Sequence, residues 1–488
     1  MTIKELISIC QPFKVVPANP PDHEVGKLHL DSRKVAEGDV YIALKGTQAD
    51  GHQYVPGVAM KGAAAVVVDR LTPGLDKTIQ IVVKNTRDVA GHLFQAFAGY
   101  PAKDMTLIGI TGTNGKTTVA TLVHQALRQK GIKTTLIGTV DTIIGDERQQ
   151  SRLTTPGPDE LAEIFAKSKA QGVTHVVMEV SSHALQQRRT HGLNFKLAAF
   201  TNLSHDHLDY HRDAGEYLRA KRYLFDKLSE DAHAIINSDD EVARDMIGFT
   251  QAKVKFAGFK DKNAEIIRTD SSGTAIRWQG TDLESPLIGR FNASNLLIAA
   301  SLLHSLGYRP EEIAELIPHC HGAEGRLEQV GDGKPVILVD YAHTPDALEN
   351  VLQAIVSVKE PDEKLSVVFG CGGDRDATKR PQMARIAEEH ADYIYVTSDN
   401  PRTEKPEAII SDILKGFSKS ARYKDEPDRH KAIEMAVREA PETGIVLIAG
   451  KGHETYQEVH GERHHLDDRE EAEKALASRS TRNGKEVS

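Results

Sequence analysis

Hydrophobic residues in this chain form short apolar runs, which alternate with stretches that have the 3.6-residue spacing of helices. This alternation is typical of parallel sheets covered by helices on both faces. The pattern therefore predicts an α/β protein. The predicted strands include residues 40–44, 63–68, 79–83, 107–110, 135–137, 336–339, 367–369, 394–396 and 445–448, and the predicted helices include residues 89–97 and 119–127.

The alternating pattern is interrupted near residue 100 and starts again near residue 335. A chain of 488 residues also exceeds what one hydrophobic core usually supports. We therefore predict three domains: a mixed α/β domain at 1–100, a central parallel sheet of the P-loop ATPase type at 101–326, and a Rossmann-like doubly wound domain at 327–488.

Composition excludes several classes of partner. A net charge of -9 and an aromatic content of 5% argue against nucleic-acid binding, which needs a concentrated basic surface and stacking side chains. The absence of an apolar run of 18 residues and of a signal peptide predicts a cytoplasmic protein without a membrane partner. We expect a monomer, and we expect Cys10, Cys320 and Cys371 to be free thiols because they form no close-spaced pair.

A glycine-rich loop, residues 111–118 (TGTNGKTT), follows the predicted strand at 107–110 and precedes a predicted helix. In this arrangement the backbone amides and the helix N-terminus bind phosphate, Lys116 reaches the outer phosphates, and the Thr117 hydroxyl holds magnesium. The strict P-loop pattern is not met, since Ile110 stands where its first glycine would be. The alternative is a tight structural turn.

Acidic and histidine side chains follow the next two apolar segments. Glu179 ends the apolar run 176–179, where it is either a magnesium ligand or an exposed strand end. His205, His207 and His211 lie in the stretch 201–211 and would also fit zinc hydrolysis. The phosphate loop upstream favours a magnesium-nucleotide site.

Lys221 lies in the middle of a helical apolar stripe within residues 215–228. One interpretation is that its amine extends to water along the side chain. The other is that burial keeps the amine neutral and open to chemical modification.

Residues 397–406 (TSDNPRTEKP) follow the predicted strand at 394–396. Asp399, Asn400 and Pro401 are typical of a turn, which would leave Arg402 as an ordinary solvated side chain. Ligands of open α/β sheets, however, bind at the carboxyl ends of strands. Arg402 is therefore also a candidate ligand-binding residue.

Several motifs occur in the order found in the Mur ligase family, and the resemblance covers essentially the whole chain. The motifs are residues 112–118, the strand ending at Glu179, and residues 206–211 (DHLDYH), 289–295 (GRFNASN), 325–328 (GRLE) and 340–343 (DYAH). The chain thus resembles the ATP-dependent amide ligases that build the peptide of bacterial cell-wall precursors. Residues 399–402 (DNPR) resemble the signature of the branch that adds meso-2,6-diaminopimelate.

The resemblance implies a reaction and its participants. ATP and Mg²⁺ would convert the D-glutamate carboxylate of UDP-N-acetylmuramoyl-L-alanyl-D-glutamate into an acyl phosphate. The amine of meso-diaminopimelate would then attack this intermediate, in peptidoglycan precursor synthesis. Lys221 matches a lysine that the family carries as a CO2-derived carbamate. A planar guanidinium at Arg402 suits the distal carboxylate of diaminopimelate, which lysine lacks.

The resemblance also implies a role for individual residues, which we carry over as expectations. The catalytic residues are Lys116, Lys221, His207 and Glu179, and the metal ligands are Thr117, Glu179, His207 and the Lys221 carbamate. ATP is bound by Gly112, Thr113, Asn114, Gly115, Lys116, Thr117, Thr118, Asn292, Asn295, Arg326, Asp340 and His343. The UDP-muramoyl peptide is bound by Leu30, Ser32, Gln48, Ala49, Thr154, Thr155, Ser181, Gln187 and Arg189, and diaminopimelate by Arg375, Asp399, Asn400, Pro401, Arg402, Gly450 and Glu454. The N-terminal domain would thereby bind the uridine nucleotide, the central domain ATP and the C-terminal domain the amino acid.

Two positions depart from the family pattern, and other functions compete. Thr47 replaces a histidine and Leu153 an asparagine found in some relatives. A lysine-adding ligase and a folylpolyglutamate synthase are rivals within the family, although residues 399–402 disfavour the first and the N-terminal motifs the second. A nucleotide switch without ligase chemistry is a rival from another class, but the chain lacks the Asn-Lys-x-Asp guanine motif.

Overall fold

The computed structural model describes residues 1–46, 49–75, 77–204, 210–260, 264–270, 273–331 and 334–486, with side chains to residue 479. Its N-terminal part contains a sheet whose strands lie in the order β1-β5-β4-β3-β2. β1 pairs antiparallel with β5, and the other neighbours are parallel. The elements are α1 (Ile3–Cys10), β1 (Lys14–Val16), β2 (Leu28–His29), β3 (Val40–Ile42), α2 (Val55–Met60), β4 (Ala65–Val68), β5 (Ile79–Val82) and α3 (Thr86–Phe97).

The central part is organised around a larger sheet of order β13-β12-β11-β6-β10-β7-β8-β9, parallel except for the β7-β8-β9 edge. Its strands are β6 (Thr106–Thr111), β7 (Thr134–Ile137), β8 (Asp141–Ile144), β9 (Glu147–Gln150), β10 (His175–Glu179), β11 (Phe195–Phe200), β12 (His233–Ile236) and β13 (Lys253–Phe256). Its helices are α4 (Lys116–Gln129), α5 (Pro158–Ala170), α6 (Ser182–Gln186), α7 (Ala214–Asp226), α8 (Arg290–Ser305) and α9 (Pro310–Leu316).

A small antiparallel sheet was not predicted from the sequence. It consists of β14 (Ala264–Asp270), β15 (Gly273–Trp278) and β16 (Thr281–Ser285). Ile276, Trp278 and Leu283 of this sheet are buried in the same core as α8 and α9. Its apolar face is therefore covered by helices that follow it in the chain, and local periodicity does not report such a contact.

The C-terminal part contains a sheet of order β17-β18-β22-β19-β20-β21, in which only β17 is antiparallel among the described strands. Its strands are β17 (Glu328–Val330), β18 (Val336–Asp340), β19 (Leu365–Phe369), β20 (Tyr393–Val396), β21 (Tyr423–Asp425) and β22 (Ile445–Ala449), followed by the hairpin β23 (Tyr456–Val459) and β24 (Glu462–His465). The helices are α10 (Pro345–Val358), α11 (Lys379–His390), α12 (Pro406–Leu414), α13 (Arg429–Glu439) and α14 (Asp468–Glu486). Short 3₁₀ helices cover Gly51–Tyr54, Pro101–Asp104, Asp245–Ile247 and Ile317–His319.

Helices cover both faces of the two larger sheets. In the central part α4 and α8 bury one face, and α5 and α7 bury the other. In the C-terminal part α10, α11 and α12 lie on one face, with α13 and α14 opposite. The predicted α/β fold class is confirmed. Both sheets thus present the carboxyl ends of their parallel strands as open edges, where ligands of such sheets bind.

Cys10, Cys320 and Cys371 are buried free thiols, as predicted. Within the described ranges, no helix combines the length and apolar character needed to cross a membrane.

The N-terminal and central parts pack closely at Gly91 of α3. A methyl group built on Gly91 would lie 1.8 Å from the carbonyl oxygen of His191. We expect Gly91→Ala to lower the free energy of unfolding by about 1–3 kcal/mol, because the overlap is with backbone that cannot move aside alone. Thermal unfolding measures this loss as a lower midpoint. Gly57→Ala in α2 is the matched control, since nothing lies within 4 Å of its added methyl group; equal midpoints for the two variants would contradict the packing argument.

Candidate functional site

The glycine-rich loop joins β6 to α4 and curls around its own lysine. Gly112 and Gly115 both have positive φ angles, 151° and 84°, which favour glycine. Lys116 Nζ donates to the carbonyl oxygens of Gly112, at 2.9 Å, and Thr113, at 2.8 Å. The loop therefore places a lysine ammonium at the N-terminus of α4, and both features attract an anion. The structural-turn interpretation accounts for the backbone but not for the lysine.

Glu179, the last residue of β10, is 1% exposed, so the exposed-strand-end interpretation is wrong. Its carboxylate accepts hydrogen bonds from the Thr117 hydroxyl at 3.0 Å, the Thr139 hydroxyl at 3.0 Å and the Thr139 amide at 2.8 Å. Thr139 was missed in the sequence because it follows β7, a separate strand that pairs with β10. A carboxylate and a threonine hydroxyl side by side are hard oxygen donors of the kind that magnesium prefers.

Lys221 on α7 is 1% exposed, so its amine does not extend to water. Its Nζ donates to the carbonyl oxygen of Gly112 at 2.7 Å and lies 4.4 Å from the ring centre of Tyr217. The lysine that is out of place in the helical pattern thus contacts the phosphate loop, although it follows Gly112 by 109 residues in the chain.

The N-terminus of α8 lies against the same loop. A methyl group on Gly115 would be 2.3 Å from Asn295 Oδ1, and Asn295 Nδ2 donates to Asn292 Oδ1 at 2.9 Å. Asp340 at the end of β18 accepts from the amides of Leu327, at 2.7 Å, and Ala342, at 2.8 Å. Burial raises the pKa of the Asp340 carboxyl.

Lys116, Thr117, Glu179, Asn295 and Asp340 line one cavity of about 510 Å³ between the central and C-terminal parts, whereas Lys221 is not among its lining residues. Its lining includes, among the expected ATP-binding residues, Thr113, Asn114, Gly115, Lys116, Thr117, Thr118, Asn292, Asn295, Arg326, Asp340 and His343. Gly112 contributes its carbonyl to Lys116 and Lys221. Asp346, which was not singled out in the sequence, connects the two parts: its Oδ2 accepts from Asn114 Nδ2 at 2.5 Å and from Ser204 Oγ at 2.9 Å.

The central residues expected to hold the muramoyl peptide lie beside Glu179. Thr154 and Ser181 line the 510 Å³ cavity. The Thr155 hydroxyl donates to the Glu179 carbonyl oxygen at 2.9 Å, and Arg189 donates to the Thr155 carbonyl at 2.8 Å and to Gln187 Oε1 at 2.9 Å. Burial lowers the pKa of Arg189.

Arg87 of α3, also missed in the sequence, connects this group to the N-terminal part. It donates to the carbonyl oxygens of Gln187, at 3.1 Å, and Lys45, at 2.5 Å. Ala49 belongs to the loop that follows Lys45, and its carbonyl accepts from Gly46. Leu30 and Ser32 follow β2, and Lys61 Nζ donates to the Ser32 carbonyl at 2.9 Å. Gln48 lies outside the described residues, as does Thr47, which replaces a histidine found in some relatives.

The second cavity, of about 270 Å³, gathers the residues expected to bind diaminopimelate. Arg375, Asp399, Asn400, Arg402, Gly450 and Glu454 line it together with His183 of the central part. Pro401 is buried beside it and is not among the lining residues. Tyr341, His343 and Thr344 line both cavities, so the two are adjacent.

Arg402 has a left-handed backbone, with φ at 52°, and its amide and carbonyl pair with Glu458 and His460 of the β23–β24 hairpin. Its Nη1 donates to the Gly373 carbonyl at 2.8 Å, and its Nε lies 3.5 Å from a carboxylate oxygen of Glu458. The turn interpretation therefore holds for the backbone of Arg402. Its side chain, however, lies along the wall of the 270 Å³ cavity.

Asp399 lies among positive charges at the carboxyl end of the sheet. Burial works to raise the pKa of its carboxyl, but Lys451 and Arg429 outweigh burial and hold that pKa below its ordinary value. Lys451, which was not singled out in the sequence, lies 3.8 Å from Asp399 Oδ1. The cavity thus combines acidic side chains with arginines, as suits a zwitterionic ligand.

His205, Asp206, His207 and Asp209 lie outside the described residues, so the expected metal ligand His207 stays a prediction. His211 is buried, and its Nε2 lies 3.0 Å from Ser182 Oγ. In the described part of the chain, no group of three or more His, Cys, Asp or Glu side chains is arranged to hold a metal ion.

Comparison with known proteins defines the class. Three family descriptions match in succession: "Mur ligase family, catalytic domain" at 24–98, "Mur ligase middle domain" at 110–303 and "Mur ligase, glutamate ligase domain" at 325–452. The chain belongs to the Mur ligase family.

Relatives in this family carry a more specific name. The chain is 42% identical to the UDP-N-acetylmuramoyl-L-alanyl-D-glutamate--2,6-diaminopimelate ligase of Cytophaga hutchinsonii, over 96% of this chain and 98% of that protein. It is 41% identical to the ligase of the same name from Bacillus cereus, over 98% and 99%. A solved structure with this name superposes with a TM-score of 0.67 at 32% identity, covering 94% of this chain and 96% of the other.

Proposed function

We propose that this protein is an ATP-dependent ligase that adds meso-2,6-diaminopimelate to the D-glutamate of UDP-N-acetylmuramoyl-L-alanyl-D-glutamate, a step of peptidoglycan precursor synthesis. The observation that carries the proposal is the adjacency of the two cavities. One contains a phosphate loop and the other contains arginines and acids, and Tyr341, His343 and Thr344 belong to both. The names of the relatives support the same substrates.

The reaction needs two steps, because a carboxylate is a poor electrophile. In the first, a glutamate carboxylate oxygen attacks the γ-phosphorus of ATP, the bond to the β-phosphate oxygen breaks, and ADP leaves. In the second, the amine attacks the acyl carbon, phosphate leaves, and the amine loses a proton as the amide forms. Phosphoryl transfer depends mainly on positioning and charge neutralisation. Lys116 supplies a positive charge at the loop, and the amides at the N-terminus of α4 supply donors.

Mg²⁺ fits the donors at this loop. The Thr117 hydroxyl and the Glu179 carboxylate are oxygen donors 3.0 Å apart beside the loop. When bound, the ion would neutralise charge on the phosphates. Thr139 donates to both oxygens of the Glu179 carboxylate, from its amide to Oε1 and from its hydroxyl to Oε2, and so orients it. We include His207 as a further ligand on the family resemblance.

The acceptor peptide would enter beside Glu179. Thr154 and Ser181 line the 510 Å³ cavity beside Glu179. Gln187 and Arg189 lie behind them, toward the N-terminal part. Arg87 connects that group to the loop of Ala49, so the nucleotide end of the acceptor would lie on the N-terminal domain. The contact of Asp346 with Asn114 brings the C-terminal domain onto the phosphate loop, which would keep water from the acyl phosphate.

We propose that Lys221 acts as a carbamate. Its side chain is buried, and Nζ donates to the Gly112 carbonyl at 2.7 Å. A carbamate retains one N–H on Nζ, so this hydrogen bond would survive carboxylation. The modification would add negative oxygen ligands at the loop where magnesium is needed.

The proposed activity is tested with a panel of single amino acids. The protein is incubated with ATP, Mg²⁺, UDP-N-acetylmuramoyl-L-alanyl-D-glutamate and meso-diaminopimelate, L-lysine or L-glutamate, and ADP and product mass are followed. We expect product with diaminopimelate and ADP release that needs both acceptor and amine. Preference for lysine would indicate the lysine-adding branch. ADP release without acceptor or amine would contradict ligase chemistry.

Arg402→Ala should raise the KM for diaminopimelate by about 10- to 100-fold, the expected loss of a charge-assisted hydrogen bond. The KM for ATP should stay within about twofold. Steady-state kinetics with each substrate varied in turn measures both values. Arg463→Ala is the matched control, since Arg463 lies in the same hairpin region over the Tyr456 ring, 4.1 Å away, and does not line the cavity. Equal losses toward ATP and diaminopimelate would remove Arg402 from the amino-acid site.

Lys221→Ala should lower kcat by about 100- to 1,000-fold, as expected for loss of a charged group that stabilises phosphoryl transfer. Short carboxylates such as acetate should restore part of the activity by replacing the carbamate oxygens. Lys227→Ala, an exposed lysine that follows the same helix, should behave as the native protein. Full activity of Lys221→Ala without added carboxylate would refute the carbamate role.

A further inference from the structure

Lys451, in the loop after β22, is a lysine with no exposed surface. Its Nζ lies 3.1 Å from Asn400 Oδ1, 3.1 Å from Glu454 Oε2 and 3.8 Å from Asp399 Oδ1. Removing an ammonium from water is costly unless opposite charges and hydrogen bonds replace the lost hydration. Two carboxylates and an amide oxygen provide that replacement, so the buried charge and its three neighbours depend on one another.

These three neighbours are also lining residues of the 270 Å³ cavity. Asp399 and Asn400 follow β20, whereas Glu454 follows β22, and β19 lies between the two strands in the sheet. Lys451 therefore joins two separate loops on the wall of the amino-acid cavity. Two carboxylates that face one small cavity repel each other, and a cation between them removes that repulsion.

Lys451 also determines which way the Asn400 amide points. Asn400 Oδ1 accepts from Lys451 Nζ and from the Glu458 amide at 2.9 Å, and Asn400 Nδ2 donates to Glu454 Oε2 at 2.9 Å. An ammonium has only donors, so it requires the oxygen side of the amide. With that orientation, the amide nitrogen donates to the Glu454 carboxylate, and the side chains of Asp399, Asn400 and Glu454 hold fixed positions on the cavity wall.

We propose that Lys451 is a positioning residue for amino-acid selection: it holds Asp399 and Glu454, the latter also through Asn400, in the arrangement in which their carboxylates bind an ammonium group of the incoming amino acid. The two arginines of the cavity, Arg375 and Arg402, take the carboxylate of the same end. The inference rests on the proposed function, since the amino acid is the one proposed above. Lys451 itself does not touch the reacting atoms.

The test uses Lys451→Met in the full-length protein, with the ligase assay already described. Methionine keeps an unbranched apolar chain and removes the charge and the donors. We expect the KM for diaminopimelate to rise by about 30-fold or more, with kcat reduced less than about threefold and the KM for ATP within about twofold. A residue that merely supported the fold would change all three values together.

The pH dependence of kcat/KM for diaminopimelate provides a second, independent measurement. Lys451 is the largest of the charges that lower the pKa of Asp399, so its removal should move the acid limb of kcat/KM for diaminopimelate to higher pH. The charged and titratable groups around Asp399 include Lys451, Arg429, His343, Lys379, Tyr341 and Cys371, and Glu454, Arg375 and Arg402 line the same cavity. All of these groups except Lys451 are unchanged in the variant. A shift of the acid limb would therefore result from the loss of the lysine charge.

Lys424→Met is the matched control, because Lys424 pairs with Glu439 at 2.6 Å on the surface of the same domain. It should keep native kinetics. Lys451→Gln replaces the methionine variant if that protein does not fold: it keeps a donor, loses the charge, and should show the same pH displacement with a KM raised about tenfold. A native KM and a native acid limb in the folded variant would overturn the proposal. A native protein that does not use diaminopimelate would instead refute the proposed function.

Discussion

The carbonyl oxygen of Gly112 accepts hydrogen bonds from two lysines, Lys116 at 2.9 Å and Lys221 at 2.7 Å. In the unmodified protein, two lysine side chains on one backbone oxygen place positive charge at the start of α4, where the helix dipole is also positive. The phosphates of ATP would be attracted to this place. Carboxylation of Lys221 would replace one of the two amines by a carbamate. In the central sheet β6 lies between β11 and β10. This order brings α7, which follows β11, and Glu179, which ends β10, to the loop that follows β6.

The adjacency of the two cavities follows from how the domains meet. Tyr341, His343 and Thr344 follow β18 and line both cavities, so a ligand in the C-terminal cavity would lie next to one at the phosphate loop. Asp346, at the start of α10, contacts Asn114 and Ser204 across the boundary. A ligase that makes a water-sensitive acyl phosphate needs this arrangement, because the amine must reach the intermediate before solvent does. One short segment therefore links the proposed nucleotide site to the proposed amino-acid site.

The sequence predicted the parts of the site that have a local signature. The glycine loop, the strand ending at Glu179 and the lysine in an apolar stripe are recognisable because a pattern of spacing is broken by a polar residue. Thr139, Arg87, Asp346 and Lys451 have no such signature. Each acts through a partner on a distant segment, and a threonine after a strand or a lysine in a loop has many ordinary explanations. The antiparallel sheet β14-β15-β16 was missed for the same reason, since helices that follow it in the chain bury its apolar face.

Two buried cations, Arg429 and Lys451, connect the loops behind the proposed amino-acid cavity. Arg429 and Asp468 are both fully buried and lie 2.6 Å apart, and Arg429 also donates to the carbonyl oxygens of Ser398 and Ala449. Those carbonyls directly precede Asp399 and Gly450, so one guanidinium connects the starts of two loops of the cavity. Lys451 connects the same loops closer to the cavity. A buried ion pair adds little net stability, since desolvation offsets its attraction. Both connections are better explained by precise positioning. In the proposed function, a site that distinguishes two amino acids by one carboxylate would need loops that cannot shift to accommodate the wrong one.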